Sequence, residues 1–355
     1  MSHYEERLEK DLATIREKIA AVAKRIEKAL ADSVHSVLTM DRHVAYATVL
    51  GDMPINRQIR DIDRMCHAFV ARHLPSAGHL RFVSSVLRLN VALERIGDYA
   101  AAISREAVIL TSKPPDMVAR DIELLADQHG RMLRQSLDAF LKSNAEMARG
   151  TIGMAGQLTA TFSKVYADLL GEGEKGKRPI GDLFALLVIF NRLGRVGDQA
   201  KNICEETVFT VTGETKKPKI WDILFVDERN DCISQLAEAY ARKAFPESGR
   251  YASAGWNPAP ALDPECRRYF DTQGYDTSRM VPSRIPEIPE ELAAYRVIVS
   301  FGGDIRPHVP GIPFHSIVLE WNVGGGGSAD IESIRKTIAD RTRDLMETLC
   351  GEGAA

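Results

Sequence analysis

The sequence predicts an all-α N-terminal region of two tandem three-helix bundles, followed by a small α/β domain with a mainly parallel sheet. Three observations predict this fold class. Apolar residues recur in steps of three and four through the first two hundred residues, as in amphipathic helices. One stretch of sequence occurs twice, a hundred residues apart, which indicates a duplicated unit. Beyond residue 219, short apolar runs alternate with helical segments, as in a parallel sheet covered by helices.

The composition indicates an ordinary globular protein. The chain has 355 residues, a net charge of −3 and 45% hydrophobic residues. A nucleic-acid binder would normally be clearly basic, so that class is disfavoured. No apolar leader or apolar run long enough to span a membrane is evident, and we expect a cytoplasmic protein. The cysteines show no CxxC spacing, which favours reduced thiols over a disulfide framework or a zinc site. They are Cys66, Cys204, Cys232, Cys266 and Cys350.

The first bundle is predicted over residues 1–113. Its opening helix has an apolar stripe that begins at Leu8 and continues to Leu38. The second helix covers 44–70, and Pro54 predicts a kink or a restart there because proline removes one backbone hydrogen bond. The third helix covers 80–110. Short connections between three long helices predict an up-down-up bundle.

The second bundle is predicted over 114–212, with helices at 118–141, 145–170 and 181–211. A polar linker follows at 213–219, then the α/β domain at 220–323, and finally a glycine hinge with a C-terminal helix at 324–355. The predicted strands lie at 220–226, 250–254, 296–301 and 316–320. Further helices are predicted at 235–244, 264–272 and 290–294.

The repeated stretch lies in the third helix of each bundle. Between 90–108 and 190–208, eight residues recur identically. The central ones are Arg95, Gly97 and Asp98 in the first copy and Arg195, Gly197 and Asp198 in the second. A glycine inside a helix costs about 1 kcal/mol relative to alanine. Both glycines therefore predict a close approach of a neighbouring helix.

Residues 5–212 resemble the PhoU family, regulators of bacterial phosphate uptake built as two tandem three-helix bundles. The family hallmark Glu-Arg-Ile-Gly-Asp stands at 94–98, and Arg-Val-Gly-Asp with a following Asn-Ile-Cys-Glu stands at 195–205. The turn at 75–81 also resembles the family's, except that His79 replaces an acid. This resemblance implies two partners, the ATPase subunit of a phosphate ABC transporter and a phosphate-sensing histidine kinase.

The same resemblance implies a metal site on the first bundle. The matching positions are Asp52, Asn56, Glu94 and Asp98, oxygen donors that suit Mg, Mn or Fe. The alternative is a solvated acidic pair beside Arg95. In the second bundle the matching positions are Ala155, Thr159, Gly194 and Asp198, where one acid alone cannot hold a hard cation. Asp198 with Arg195 is therefore predicted to form an ion pair or part of a partner surface.

A strand, a tight loop and a helix N-terminus follow one another at 223–238, which is the design of an anion cradle. The segment resembles the phosphate loop Cys-x-x-Asn-x-Cys-Arg-Ser of low-molecular-weight tyrosine phosphatases and their arsenate reductase relatives. Asn230, Cys232 and Ser234 match that pattern. The resemblance covers about 220–323.

The catalytic groups of that family do not carry over. Asp227 stands in place of the nucleophilic cysteine, and Ile233 in place of the arginine that binds the oxyanion. Residues 321–324 hold no acid where the family keeps its catalytic aspartate, and the resolving cysteines are absent. A thiolate at a helix N-terminus is what makes such a site reactive. The loop therefore predicts a pseudoenzyme in which Cys232 is a buried structural thiol; an aspartyl nucleophile at Asp227 is the alternative.

Together these features predict a non-enzymatic regulator of phosphate uptake and phosphate-starvation signalling that acts through protein contacts. The appended domain would be a docking or dimerisation module, so a homodimer stays open. Contact with a membrane is expected only through partners. Two alternatives stay open: a phosphatase or arsenate reductase with PhoU-like targeting bundles, and a metal-responsive sensor.

Overall fold

A computed structural model describes residues 3–154, 159–176, 178–216, 219–313, 316–323 and 331–351, without the side chains of 159–163, 279, 289 and 290. The chain forms two compact units, Met1–Lys216 and Lys217–Ala355. The first unit is helical and the second combines helices with a parallel sheet. The predicted fold class is confirmed.

The first unit begins with three long helices, α1 (His3–Thr39), α2 (Arg42–His73) and α3 (Ala77–Ile109). Asp41 caps α2, because its carboxylate accepts hydrogen bonds from the backbone N–H groups of His43 and Val44. Leu74 ends α2 in the left-handed conformation, and only two further residues lead to α3. These short connections place the three helices side by side, as the apolar stripes predict.

Helix α2 runs through Pro54 without interruption, so of the kink or restart expected at that proline, the restart is wrong and the kink stays a prediction. Proline removes one intrahelical hydrogen bond. The residues that follow compensate, since Ile55, Ile59 and Ile62 are all buried against the core. Burial of three isoleucines on one face contributes several kcal/mol, more than the single lost bond.

Four helices complete the first unit: α4 (Asp116–Leu141), α5 (Ala145–Met154), α6 (Thr159–Glu174) and α7 (Ile180–Thr212). The helix predicted at 145–170 corresponds to α5 and α6, and residues 155–158 lie outside the described part. Gly213, at φ 79°, ends α7, a conformation that glycine adopts at little cost.

The two motif-bearing helices, α3 and α7, pack against each other along much of their length. Arg88 near the start of α3 pairs with Glu206 near the end of α7 at 2.7 Å. Farther along, the Arg192 guanidinium of α7 lies over the Tyr99 ring of α3. The helices therefore run antiparallel, and one continuous hydrophobic core extends through both halves of the unit.

The second unit contains a four-stranded parallel sheet in the order β2-β1-β3-β4. Its strands are β1 (Trp221–Asp227), β2 (Gly249–Gly255), β3 (Val297–Ser300) and β4 (Ile317–Glu320), close to the predicted positions. Its helices are α8 (Ile233–Ala244), α9 (Pro264–Thr272), α10 (Pro289–Leu292) and α11 (Ile331–Cys350). Helix α11 packs on α8, whereas the predicted glycine hinge at 324–327 and the cap at Ser328 lie outside the described residues.

Strand β1 lies between β2 and β3, so the connections from β1 and from β2 leave the sheet in opposite directions. In parallel sheets this switch point is the usual place for a ligand, at the carboxyl ends of the strands. Asp227 ends β1 and therefore lies at that position.

Candidate functional site

The first copy of the motif packs against the middle of α2. A Cβ atom at Gly97 would lie 3.1 Å from Asp52 Oδ1, so the glycine leaves room for that carboxylate. Asn56 Nδ2 donates a hydrogen bond to Asp52 Oδ2 at 2.9 Å. Burial, and then the negative charge of Asp98, raise the pKa of Asp52. Asp52 is thus a half-buried acid next to a second acid.

This cluster fits a metal ion only in part. Asp52 Oδ1 and Asn56 Oδ1 are buried without a hydrogen-bond partner, and such oxygens suit a hard cation. Glu94 and Asp98, in contrast, are exposed. The described stretches contain no group of three or more His, Cys, Asp or Glu placed to hold a metal ion. Binding of Mg, Mn or Fe by Asp52, Asn56, Glu94 and Asp98 stays a prediction.

The second copy of the motif packs against α4 instead. A Cβ atom at Gly197 would lie 2.7 Å from His129 Nε2. The His129 ring is buried, and its Nδ1 donates to the Leu193 carbonyl oxygen at 2.6 Å, since a carbonyl only accepts. Burial lowers the pKa of His129, so its imidazole is neutral near pH 7. Of the matched positions, Ala155 and the Thr159 side chain lie outside the described residues.

Sequence reasoning missed His129, although the signal was present. His129 falls on the apolar stripe of α4, four residues after Leu125 and four before Leu133. A polar residue at such a position is buried with the stripe, and it then needs a hydrogen-bond partner. Only the packing of α4 against α7 identifies that partner as Leu193.

Replacing Gly197 by alanine is expected to lower the free energy of unfolding of the first unit by about 1–3 kcal/mol, because the added methyl group overpacks the site. The His129 ring cannot move aside easily, since it is buried and bonded to Leu193. Gly194→Ala is the matched control on the same helix, where a Cβ atom meets nothing within 4 Å. The control should be neutral or stabilising by up to about 1 kcal/mol. Urea unfolding followed by far-UV circular dichroism measures both, and equal effects would contradict the packing described.

The two motif arginines differ in their contacts. Arg195 forms an ion pair with Asp198 at 3.2 Å, and both side chains are largely exposed, so the pair contributes little to stability. Arg95 and Asp98 have the same spacing but form no such pair. Within the described ranges Arg95 has no ion-pair partner, and the duplicated motif is therefore asymmetric.

In the second unit, the Asp227 carboxylate lies within the loop that the sequence predicts as an anion cradle. Its Oδ1 accepts a hydrogen bond from the Asn230 backbone N–H at 2.5 Å, and its Oδ2 accepts one from the Ser234 N–H at 2.9 Å. Burial raises the pKa of Asp227, and these hydrogen bonds oppose that rise. Two backbone donors of the loop, the N–H groups of Asn230 and Ser234, are thus satisfied by a side chain of the same loop.

The loop is held in shape by Asn230, which is fully buried and adopts a positive φ of 51°. Its Nδ2 donates to Ser234 Oγ at 2.8 Å. Its Oδ1 accepts from the Ser283 backbone N–H at 2.8 Å and from Gln235 Nε2 at 3.2 Å. A buried network with this many bonds makes the loop rigid.

Ile233 is the first residue of α8 and offers no side-chain donor to an oxyanion. After β4, the described residues 321–323 contain no acid, and Asp330 lies outside the described part. Of the positions predicted for catalysis, 227 and 233 therefore hold no thiolate and no arginine, and the described residues after β4 hold no general acid.

Cys232 and Cys266 form a disulfide bond, with their Cα atoms 5.6 Å apart, within the usual range. The prediction of reduced thiols, and of Cys232 as a buried structural thiol, is wrong for this pair. The two residues are 34 positions apart in sequence, so their proximity depends on the packing of α9 beside the loop. Cys66 and Cys204 are free, and burial raises the pKa of each thiol to about 12, which makes them unreactive.

A comparison with models of protein families gives a match to two segments of the chain, residues 19–107 and 122–207. Both segments match the PhoU domain. Each matched segment contains one copy of the motif, on α3 or on α7. Both segments lie in the first unit, and the α/β unit lies outside the match.

Curated proteins and solved structures are similar to the chain over the same region. A phosphate-specific transport system accessory protein PhoU homolog from Pseudomonas putida is 28% identical over 214 residues, which are 59% of this chain and 83% of that protein. The crystal structure of PhoU from Pseudomonas aeruginosa matches with a TM-score of 0.56 at 26% identity, over 58% of this chain and 99% of that one.

A thioredoxin-dependent arsenate reductase from Corynebacterium glutamicum is also similar to this chain. It matches at 22% identity with a TM-score of 0.32, over 43% of this chain and 75% of that one.

Across the described residues, no helix is both long and apolar enough to cross a membrane.

Proposed function

We propose that this chain is a non-enzymatic regulator of phosphate uptake and phosphate-starvation signalling that acts through protein contacts. The two PhoU domains support this proposal. So do the relatives that match them, which are named accessory proteins of the phosphate-specific transport system. The chain carries both halves of the paired domain, so the surface of a complete accessory protein is available.

The Asp227 carboxylate is the observation that carries the non-enzymatic part of the proposal. It accepts the backbone N–H groups of Asn230 and Ser234, which would otherwise bind an oxyanion. A carboxylate in that position repels a phosphate or arsenate dianion, and Ile233 supplies no compensating charge. The second unit then serves as a docking or dimerisation module.

The partners in this proposal are the ATPase subunit of a phosphate ABC transporter and a phosphate-sensing histidine kinase. Affinity capture of the tagged full chain from phosphate-replete cells tests the proposal, since one of these partners should co-purify. Absence of both would count directly against it.

A further inference from the structure

A groove of about 340 Å³ lies between α3 and α7 of the first unit. Its floor is apolar and buried, formed by Leu89, Ala92 and Ile203. Charged and amide side chains from both helices form its walls. The groove thus lies between the two motif helices, and none of the predicted metal ligands, Asp52, Asn56, Glu94 and Asp98, lines it.

More basic than acidic side chains line the groove. Arg88, Arg95 and Lys216 line it together with Glu205 and Glu206. Both carboxylates are already paired, Glu206 with Arg88 at 2.7 Å and Glu205 with Lys216 at 2.7 Å. Arg95 is left as the one lining cation without a carboxylate partner in the described part of the chain.

The Gln199 side chain provides a second, independent observation. Gln199 is only 5% exposed, and its Oε1 accepts a hydrogen bond from Asn202 Nδ2 at 3.3 Å. Its Nε2 donates to no described residue, although the side chain lines the groove. This amide nitrogen is therefore available to donate a hydrogen bond to a ligand in the groove.

We propose that this groove binds a small oxyanion through the Arg95 guanidinium and the Gln199 amide nitrogen, with inorganic phosphate as the ligand. A guanidinium presents a planar pair of N–H donors that matches two phosphate oxygens. The apolar floor strengthens the attraction because it lowers the local dielectric constant. The choice of phosphate among oxyanions rests on the proposed function, whereas the unpaired charge and the free amide do not.

The second motif copy supplies the control. Arg195 is the counterpart of Arg95, but it is paired with Asp198 and does not line the groove. Both arginine side chains are exposed, so removal of either should leave the fold intact. A difference in binding between the two alanine variants then reports on the groove alone.

Isothermal titration of the purified full chain with inorganic phosphate at low ionic strength is the test. We expect the wild type to bind phosphate, Arg95→Ala to weaken binding roughly tenfold or more, and Arg195→Ala to stay within about twofold, where tenfold corresponds to about 1.4 kcal/mol. Arg95→Lys should give an intermediate loss, because the charge remains while the paired donors are lost. Adenosine monophosphate is titrated in parallel; if it alone binds and depends on Arg95, the groove is a phosphoryl site whose source is a nucleotide.

Absence of phosphate and nucleotide binding to the wild type, or an equal loss in both alanine variants, would overturn the inference. Its failure is distinguishable from failure of the proposed function, which is tested by partner capture without added ligand. A chain that captures its partners but binds no oxyanion at the groove loses only the inference.

Discussion

Replacing Cys266 by serine is expected to lower the free energy of unfolding of the second unit by about 3–4 kcal/mol under non-reducing conditions. The disulfide bond restricts the unfolded chain, and the variant regains the conformational entropy that this restriction removes. The bond to Cys232 closes a loop across 34 positions of sequence. The reduced wild type should match the variant, because both lack the cross-link.

Tryptophan fluorescence can follow the unfolding of the second unit separately from that of the first. All three tryptophans, Trp221, Trp256 and Trp321, lie in the second unit, so tryptophan fluorescence during denaturation by urea reports on that unit alone. Cys350→Ser is the matched control, since Cys350 is a free thiol in the same unit. Unfolding curves of Cys266→Ser and the oxidised wild type that coincide would show that the bond contributes nothing.

Asp227→Ala is expected to destabilise the second unit by about 2–4 kcal/mol, because two backbone N–H groups lose a charged acceptor. Added phosphate or sulfate should recover part of this loss in the variant, since an anion can then enter the emptied cradle and stabilise the folded state. The wild type should show no comparable recovery, because its own carboxylate occupies the donors. The same fluorescence assay measures both effects.

Glu228→Ala is the control for this second prediction, because Glu228 is an exposed acid in the same loop. Hydrolysis of an aryl phosphate provides the chemical readout. Neither the wild type nor Asp227→Ala should turn it over, because neither has a thiolate at position 227 or an arginine at position 233, and Arg229 in the loop is paired with Asp231. Turnover by the wild type that disappears in Asp227→Ala would instead identify Asp227 as a nucleophile and contradict the non-enzymatic role.

The helices and strands could be predicted because their signals are local. The apolar stripe of α1 and the short apolar runs of the four strands each depend on neighbouring residues, and both kinds of element were found where expected. Pro54 was different, because the burial of Ile55 and Ile59 in the core decides whether α2 continues. Local rules overestimate such a break when tertiary packing opposes it.

The details of the candidate sites depend on distant contacts and were less predictable. The bond between Cys232 and Cys266 and the packing of Gly197 against His129 each join separate elements. The position of the Asp227 carboxylate depends on the path of the loop around Asn230. In each of these cases the sequence identified an unusual residue, but only the three-dimensional arrangement supplied its partner.

Affinity capture from phosphate-replete cells tests the central claim most directly. The bait is the full tagged chain, and an unrelated tagged protein provides the background. We expect enrichment of the ATPase subunit of a phosphate ABC transporter or of a phosphate-sensing histidine kinase, identified by mass spectrometry. If neither is enriched and the purified chain hydrolyses an aryl phosphate, the chain is an enzyme and the regulatory role proposed for it is wrong.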